Sequence, residues 1–279
     1  MTTIFIGGAP RSGTTLAQSI LCSDATTNPM LGEPFYFRKI VFAYKQTRQD
    51  FAKRGAGFFG DPARLARFTG EWMESFLDQV RANYPDATNL VIKEPLLTRH
   101  FVEVSTLIPR ARFVIMVRDP RDVIASTIEV AARMKATGRL PRVMELAARR
   151  DIAALAATVN SYYRDLLGGR DRAGQRAMCY MLYEALVSEP ERALDALRRF
   201  TGLALADYRP ERDWNANRAG YTGAAPDDPW QSSLWGRPMT EARVGSYRAV
   251  LTTEEIVAVE TQCGVVYDAF AYPLDSAAA

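Results

Sequence analysis

Short apolar runs rich in β-branched residues alternate along the chain with longer segments in which apolar residues recur every three or four positions. The runs predict strands at 3–6, 89–92 and 112–117, and a less regular one at 177–183. The other segments predict helices, near 13–22, 62–82, 98–108, 120–135, 142–167, 189–201 and 253–270. Because helices separate strands that are apolar throughout, the pattern predicts an α/β fold with a central, mostly parallel sheet and helices on both faces.

Two segments depart from this alternation. Residues 205–240 are rich in Pro, Gly, Asp and Asn and contain Trp214, Trp230 and Trp235, a composition typical of a functional lid. Residues 34–60 are dense in aromatic and basic side chains, which fits either an acceptor-binding wall or a helix with an aromatic core stripe. Since no repeat or low-complexity linker is visible, we expect a single domain over residues 1–279.

Composition narrows the class of protein. With 48% hydrophobic residues the chain can bury a full core, and a net charge of +3 argues against nucleic acid as a main partner. Its three cysteines form no CxxC pair, which indicates reduced thiols. The first residues lack the features of a signal peptide, and the apolar runs are too short to span a bilayer. We therefore expect a cytoplasmic protein without a membrane partner; a homodimer is left open.

The first predicted strand runs into a glycine-rich loop. Gly8 and Gly13 have the GxxxxG spacing of a P-loop, with a strand before and a helix after. Such a loop turns backbone N–H groups inward, and the helix start adds positive potential, which together suit a phosphate. A turn that merely lets a helix pack closely is the alternative. Two threonines and Arg11 in the same loop favour the phosphate interpretation and a P-loop-type sandwich.

The loop differs from one that binds a nucleoside triphosphate. Thr14 stands where the lysine that reaches the β- and γ-phosphates is placed, and the cation lies inside the loop as Arg11. No acidic residue suited to magnesium follows an apolar run. The loop therefore predicts a donor with a single 5′-phosphate and no metal.

A second candidate anion site follows the third strand. Arg118 ends that strand, Asp119 and Pro120 suit the start of a helix, and Ser126 lies one to two turns inside it. Arg118 and Ser126 could converge on one phosphate in the crevice at the strand ends. A surface ion pair between Arg118 and Asp122 is the alternative.

These segments resemble a known family. The loop IFIGGAPRSGTTL, GEP at 32–34, IKEPLL at 92–97, MVRDPRD at 116–122 and LYEALVSEPERAL at 182–194 are similar, in this order, to P-loop sulfotransferases, most of all to the tyrosylprotein sulfotransferase-like branch. The resemblance implies transfer of a sulfuryl group from 3′-phosphoadenosine 5′-phosphosulfate (PAPS) to a hydroxyl, with 3′,5′-ADP as product.

The resemblance also implies a donor site. The 5′-phosphosulfate would lie on the loop, the 3′-phosphate on Arg118 and Ser126, with Tyr183 also at the nucleotide. Ser232 or Ser233 falls where the family places a serine beside the bridging oxygen. The predicted loop contacts come from Gly8, Arg11, Ser12, Gly13, Thr14 and Thr15.

Lys93, Glu33 and Arg11 are the predicted catalytic residues. Lys93 ends the second strand and is one of only five lysines; we predict that it donates to the oxygen bridging sulfate and phosphate, a solvated strand-end lysine being the alternative. Glu33, in the GEP segment, is the predicted general base on the resemblance, with Glu94 as the alternative. His100, the only histidine, is predicted to be structural.

The acceptor is not specified by these motifs. We expect a small-molecule or glycan hydroxyl. Two other functions are compatible with the same loop: a P-loop kinase of a small metabolite, and a non-catalytic nucleotide-binding protein of the same fold.

Overall fold

The computed structural model describes residues 2–168, 176–205, 208–216, 230 and 234–276. Four strands in this part of the chain form one parallel sheet in the order β2-β1-β3-β4. The strands are β1 (Thr2–Gly8), β2 (Asn89–Lys93), β3 (Arg112–Val117) and β4 (Met178–Leu182). The chain passes from β1 to β2 on one side and then crosses to β3 on the other. The carboxyl ends of β1 and β3 therefore border the crevice where open α/β sheets bind ligands.

Helices surround this sheet. The first group precedes or follows β2: α1 (Thr14–Leu21), α2 (Phe35–Gln49), α3 (Phe51–Arg54), α4 (Ala56–Phe59), α5 (Pro62–Asn83) and α6 (Phe101–Leu107). The second group follows β3: α7 (Pro120–Ala136), α8 (Glu145–Ala148) and α9 (Ile152–Gly168). The third follows β4: α10 (Tyr183–Ser188), α11 (Pro190–Thr201), α12 (Pro210–Ala216), α13 (Thr253–Gln262) and α14 (Gly264–Phe270). Short 3₁₀ helices occupy Pro95–His100, Arg142–Met144 and Ser246–Ala249.

Two apolar cores lie on opposite faces of the sheet. Phe5 of β1 packs into a core with residues of α2, α5, α7 and α9, whereas Ile4 and Ile6 pack into another with α1, α10 and α11. Alternate residues of one strand point to opposite faces, so both faces of the sheet are covered by helices. The predicted three-layer α/β sandwich is confirmed.

Several predicted helices are divided in the structure. The helix expected at 98–108 begins as a 3₁₀ turn at Pro95, where the carboxylate of Glu94 accepts the N–H of Leu96. The helix expected at 142–167 breaks at Arg150, whose φ of 55° is left-handed. The expected last helix is two helices that meet at Cys263, beside Gly264, because glycine is a poor helix former.

The predictions for the two irregular segments have different outcomes. Within 34–60 the core-stripe interpretation is confirmed, because α2 buries Phe37, Ile40, Val41 and Tyr44. Residues 206–207, 217–229 and 231–233 lie outside the described part of the chain, so the lid at 205–240 stays a prediction. Among the described helices, none combines the length and the apolarity that crossing a bilayer requires.

Candidate active site

The loop between β1 and α1 needs both of its glycines. Gly8 has φ 131°, and a Cβ there would lie 2.3 Å from the carbonyl oxygen of Met116. Gly13 has φ 97°, and a Cβ there would lie 2.8 Å from the ring of Tyr183. The left-handed backbone and the close neighbours both exclude a side chain. The conformation of the loop therefore requires glycine at both positions of the GxxxxG spacing.

The fold uses some of the loop's N–H groups and leaves the helix start open. The N–H of Gly8 donates to Thr98 Oγ1 at 2.6 Å, and that of Ala9 to the hydroxyl of Tyr163 at 2.9 Å. Gly13 occupies the N-cap of α1, and no side chain caps this helix. Thr14 and Thr15, in the first turn of this uncapped helix, line the adjoining cavity, where an anion-binding helix start would have its ligand.

Tyr163 of α9 fastens the loop to the sheet. Its buried hydroxyl accepts from the N–H of Ala9 and donates to the carbonyl of Met116, both at 2.9 Å. Sequence reasoning missed this residue, because no local pattern relates α9 to the loop.

We expect Tyr163→Phe to lower the free energy of unfolding by about 1–3 kcal/mol, because it leaves the buried Ala9 N–H without a partner. Urea unfolding monitored by circular dichroism measures this change. Tyr36→Phe, at a side chain 55% exposed, is the control for loss of a tyrosine hydroxyl. Equal stability of Tyr163→Phe and the unaltered protein would contradict the assignment.

Arg118 lies where the second anion site was predicted. Its guanidinium donates from Nη1 to the carbonyl of Arg11 at 3.2 Å and from Nη2 to the carbonyl of Arg243, and it stacks 4.6 Å from the ring of Tyr183. The alternative ion pair also forms, with Arg118 Nη2 3.6 Å from Asp122 Oδ2. Within the described part of the chain, the buried Nε of Arg118 has no hydrogen-bond partner. The ion pair and a role in binding an anion are therefore compatible.

The helix start of α7 follows the prediction. Asp119 is the N-cap, its carboxylate accepts the N–H of Arg121, and Pro120 is the first helical residue. Ser126 lies inside the helix and accepts from Arg11 Nε at 3.1 Å. Arg11 also donates to the carbonyl of Trp230 at 2.8 Å. Arg11 thus joins the two predicted anion sites at a φ of 75°, a strained conformation of the kind found at functional sites.

A cavity of about 760 Å³ opens between these sites. Arg11, Arg118, Arg133 and Arg243 all line it, together with Glu129, which lies 3.3 Å from Arg243. Burial lowers the pKa of Arg11 to about 10, and repulsion from Arg133, Arg118 and Arg243 adds to the effect. The cavity therefore carries a surplus of positive charge, and a ligand with several negative charges would relieve the repulsion.

Aromatic side chains close another part of the cavity. The rings of Trp214 and Trp235 lie 5.1 Å apart, and both line the cavity with Tyr208 and Met239. Tyr183, the predicted nucleotide contact, lies on the wall of the cavity between Arg118 and Gly13. A cavity with flat apolar walls and a cationic end suits a purine nucleotide with two phosphates.

The predicted catalytic pair lies at the end of β2. Lys93 is paired in register with Ile6 of β1, which places it beside the strand that carries the phosphate loop. Its Nζ lies 3.3 Å from Oε1 of Glu33; the lysine side chain is 5% exposed and the glutamate side chain 40%. Neither side chain lines the cavity described above. The structure thus brings Lys93 and Glu33 together, next to the loop and open to solvent on the Glu33 side.

Glu94 and His100 are built into the fold. Glu94 is fully buried, accepts from Arg38 Nη1 at 2.9 Å and caps the following turn; burial, together with the charge of Glu33, raises its pKa to about 7. His100 Nδ1 lies 2.8 Å from Lys45 Nζ, and burial and that charge lower its pKa to about 4. Neither residue lines the cavity.

The remaining predictions concern a serine beside the bridging oxygen and the binding of a metal. Ser232 and Ser233 lie outside the described residues. In the described ranges no group of three or more His, Cys, Asp or Glu side chains is arranged to hold a metal ion.

The family follows from a match that covers most of the chain. Residues 3–207, which include the phosphate loop, Lys93, Arg118 and Tyr183, match the model of the sulfotransferase family. The chain belongs to the sulfotransferase family. The resemblance predicted from the motifs, closest to the tyrosylprotein branch, is confirmed by its curated relatives.

These relatives are protein-tyrosine sulfotransferases. The chain is 29% identical over 211 residues to protein-tyrosine sulfotransferase 2 of Gallus gallus, which covers 74% of this chain and 53% of the relative. It is 28% identical over 215 residues to protein-tyrosine sulfotransferase 1 of Danio rerio, covering 74% and 55%. The matched part of this chain thus spans about half the length of these relatives.

Solved structures share the fold over nearly the whole chain. The sulfotransferase domain of the Synechococcus PCC 7002 olefin synthase superposes with a TM-score of 0.57 at 18% identity, covering 98% of this chain and 96% of that domain. A sulfotransferase domain from the curacin biosynthetic pathway gives a TM-score of 0.58 at 16% identity, covering 98% of both chains.

Proposed function

We propose that this protein transfers a sulfuryl group from PAPS to an acceptor hydroxyl. The observation that carries the proposal is the pair of anion sites at one cavity: the uncapped start of α1 and the cluster around Arg118 and Ser126. A donor with phosphates at both 5′ and 3′ positions matches two separate anion sites, whereas a triphosphate needs one continuous site. Thr14 in place of a lysine supports the same conclusion.

In this proposal each part of the cavity has one task. The N–H groups at the start of α1, with Thr14 and Thr15, hold the 5′-phosphosulfate. Arg118 and Ser126 hold the 3′-phosphate, and Arg11, between the two sites, is close enough to neutralise charge at either. The base lies along Trp214 and Trp235. Arg133 and Arg243, which sequence reasoning missed, add to the positive potential.

The transfer itself needs few groups. An acceptor oxygen forms a bond to sulfur, the bond from sulfur to the bridging oxygen breaks, and its electron pair stays on the phosphate. Lys93 donates a hydrogen bond to that leaving oxygen, and Glu33 takes the proton of the acceptor hydroxyl. Their separation of 3.3 Å supports this assignment only as proximity, because both groups must reach the same reacting centre. Positioning supplies much of the remaining rate.

For the acceptor we propose a phenolic hydroxyl of the kind carried by a peptidyl tyrosine, because the curated relatives are named for that acceptor. The alternative acceptor is the small-molecule or glycan hydroxyl that the sequence led us to expect. Transfer of radiolabelled sulfate from PAPS to a tyrosine peptide, to free phenols and to oligosaccharides distinguishes them. Labelling of oligosaccharides alone would refute the phenolic acceptor and leave the donor assignment intact.

The donor is tested by thermal shift with 3′,5′-ADP, 5′-AMP and ATP with magnesium. We expect the largest stabilisation from 3′,5′-ADP without metal, since only this ligand occupies both anion sites. Stabilisation by ATP with magnesium alone would indicate the kinase. Binding of 3′,5′-ADP with no transfer to any acceptor would indicate the non-catalytic nucleotide-binding protein.

The variant Arg118→Met tests the proposed 3′-phosphate site separately from the proposed 5′-phosphate site. We expect the affinity for 3′,5′-ADP to fall about tenfold to a hundredfold, because a charged hydrogen bond to the 3′-phosphate is lost, while the affinity for 5′-AMP changes little. Asp122 keeps its other donors, the N–H groups of Gly245 and Tyr247 and the hydroxyl of Ser246, so the fold should persist. Isothermal titration calorimetry measures both ligands. An equal loss for the two would contradict the 3′-phosphate assignment.

A further inference from the structure

A group of exposed aromatic rings lies outside the cavity, on α2, α4 and α5. We call it the aromatic patch. It consists of the exposed Phe35, Tyr36, Phe58, Phe68 and Trp72, together with Phe59 and Phe76, which are partly buried against the core. Phe58 is 86% exposed, Phe35 57%, Tyr36 55%, Phe68 53% and Trp72 40%. Scattered exposed apolar residues are common in soluble proteins, but a contiguous group of large ones marks an interaction surface.

The part of the patch from Tyr36 to Phe59 is connected through successive ring contacts. Tyr36 and Trp72 lie 6.1 Å apart between ring centroids, Trp72 and Phe68 6.5 Å, and Phe68 and Phe59 5.5 Å. Phe68, Trp72 and Phe76 recur every four residues and so form one strip along α5. Phe58 lies between Gly57 and Gly60 at the end of the patch, where its ring contributes almost nothing to the core.

Basic side chains are interspersed with these rings. Residues 35–76 hold eight Lys or Arg against four Asp or Glu, a net charge of +4, while the whole chain carries +3; the rest therefore sums to −1. Lys39 lies 4.9 Å from the centroid of Phe35, and Arg64 and Arg67 are exposed near Phe68. The segment that carries the exposed rings therefore has a net positive charge.

We propose that the aromatic patch docks this protein on the surface of an anionic lipid bilayer. Phenylalanine and tryptophan rings partition into the headgroup boundary, and Lys and Arg beside them attract anionic lipids. A second copy of this chain fits the patch less well, because the same net positive charge on both copies would repel. The proposal replaces the expectation from the sequence of no membrane partner, and the protein is held on one leaflet without crossing the bilayer.

The test is co-sedimentation of the full chain with lipid vesicles. We expect binding to phosphatidylcholine vesicles that contain about one-third phosphatidylglycerol, weak binding to pure phosphatidylcholine, and release in about 0.5 M NaCl, where charges are screened within a few ångströms. Protein that stays in the supernatant with the anionic vesicles overturns the proposal.

Variants locate the contact. Phe58→Ser and the double variant Lys39→Glu/Arg67→Glu should each reduce binding to anionic vesicles at least about fivefold. The matched controls are Val143→Ser, at a side chain 77% exposed, and Arg192→Glu, at a side chain 83% exposed, which should bind like the unaltered protein. All variants should keep the circular dichroism spectrum of the unaltered protein, which shows that they fold.

Two further outcomes would refute the docking site. Equal losses in patch and control variants would indicate nonspecific adsorption. A dimer in analytical ultracentrifugation that Phe58→Ser dissociates, without vesicle binding, would make the patch an interface between two copies. Vesicle binding does not depend on the donor, so failure of the nucleotide experiments leaves this result unchanged.

Discussion

Lys93→Met should lower kcat by about 10²–10³-fold while the affinity for 3′,5′-ADP changes by less than about twofold. The methionine side chain has a similar length and fills the same buried space at the end of β2, where Lys93 is 5% exposed. What is lost is the positive hydrogen-bond donor beside the bridging oxygen. That charge matters most as the leaving oxygen becomes negative, so the effect falls on turnover. Single-turnover transfer from labelled PAPS and titration of 3′,5′-ADP measure the two quantities separately.

Lys45→Met is the matched control for this experiment. Lys45 pairs with His100 and with Glu103 and has no proposed part in the transfer, so the same chemical change there should leave kcat close to its normal value. Near-normal turnover of Lys93→Met would refute the proposed role of Lys93. Equal losses in both variants would attribute the effect to stability.

Glu33→Gln should reduce kcat by about 10²–10⁴-fold, the usual contribution of general-base catalysis. The amide keeps the size of the side chain and can still accept from Lys93, but it cannot take a proton at neutral pH. Since the base acts as the carboxylate, the decline of kcat toward acidic pH in the unaltered enzyme should be absent from the variant. A kcat–pH profile of both proteins provides the measurement.

The variant Glu94→Gln distinguishes between Glu33 and Glu94 as the general base. Glu94 is fully buried between Arg38 and the N–H of Leu96, so we expect its replacement to affect stability more than rate. If Glu94→Gln lost the rate and Glu33→Gln kept it, the base would be Glu94.

The glycine-rich loop and the residues at the strand ends show what local sequence can predict about the site. Gly8, Gly13 and the apolar strand before them predicted the phosphate loop, because only glycine tolerates both the left-handed backbone and the close contacts found there. Asp119 and Pro120 predicted a helix start that the structure reproduces. The Arg118–Asp122 ion pair and an anion site at Arg118 and Ser126 were treated as alternatives, yet the ion pair forms while both Arg118 and Ser126 line the cavity, since one guanidinium has several donors.

Local sequence did not predict several other residues of the site, for different reasons. Arg133 lies seven residues after Ser126 on α7, so two helical turns place both on one face, and that spacing was available in the sequence. Tyr163, Arg243 and the two cavity tryptophans come from distant segments. Nothing in their own surroundings relates them to the loop.

The sequence by itself determined the three-layer sandwich, the glycine-rich loop between β1 and α1, and the family, because each depends on periodicity or on motifs shorter than about 20 residues. The tertiary structure alone decided which arginines share the cavity, that Tyr163 anchors the loop, and that Lys93 meets Glu33 at 3.3 Å. It also decided which aromatic residues of 34–60 enter the core and which form an exposed patch. The reason is physical: periodicity assigns a side chain to a face, but only the packing of helices against the sheet decides what that face contacts.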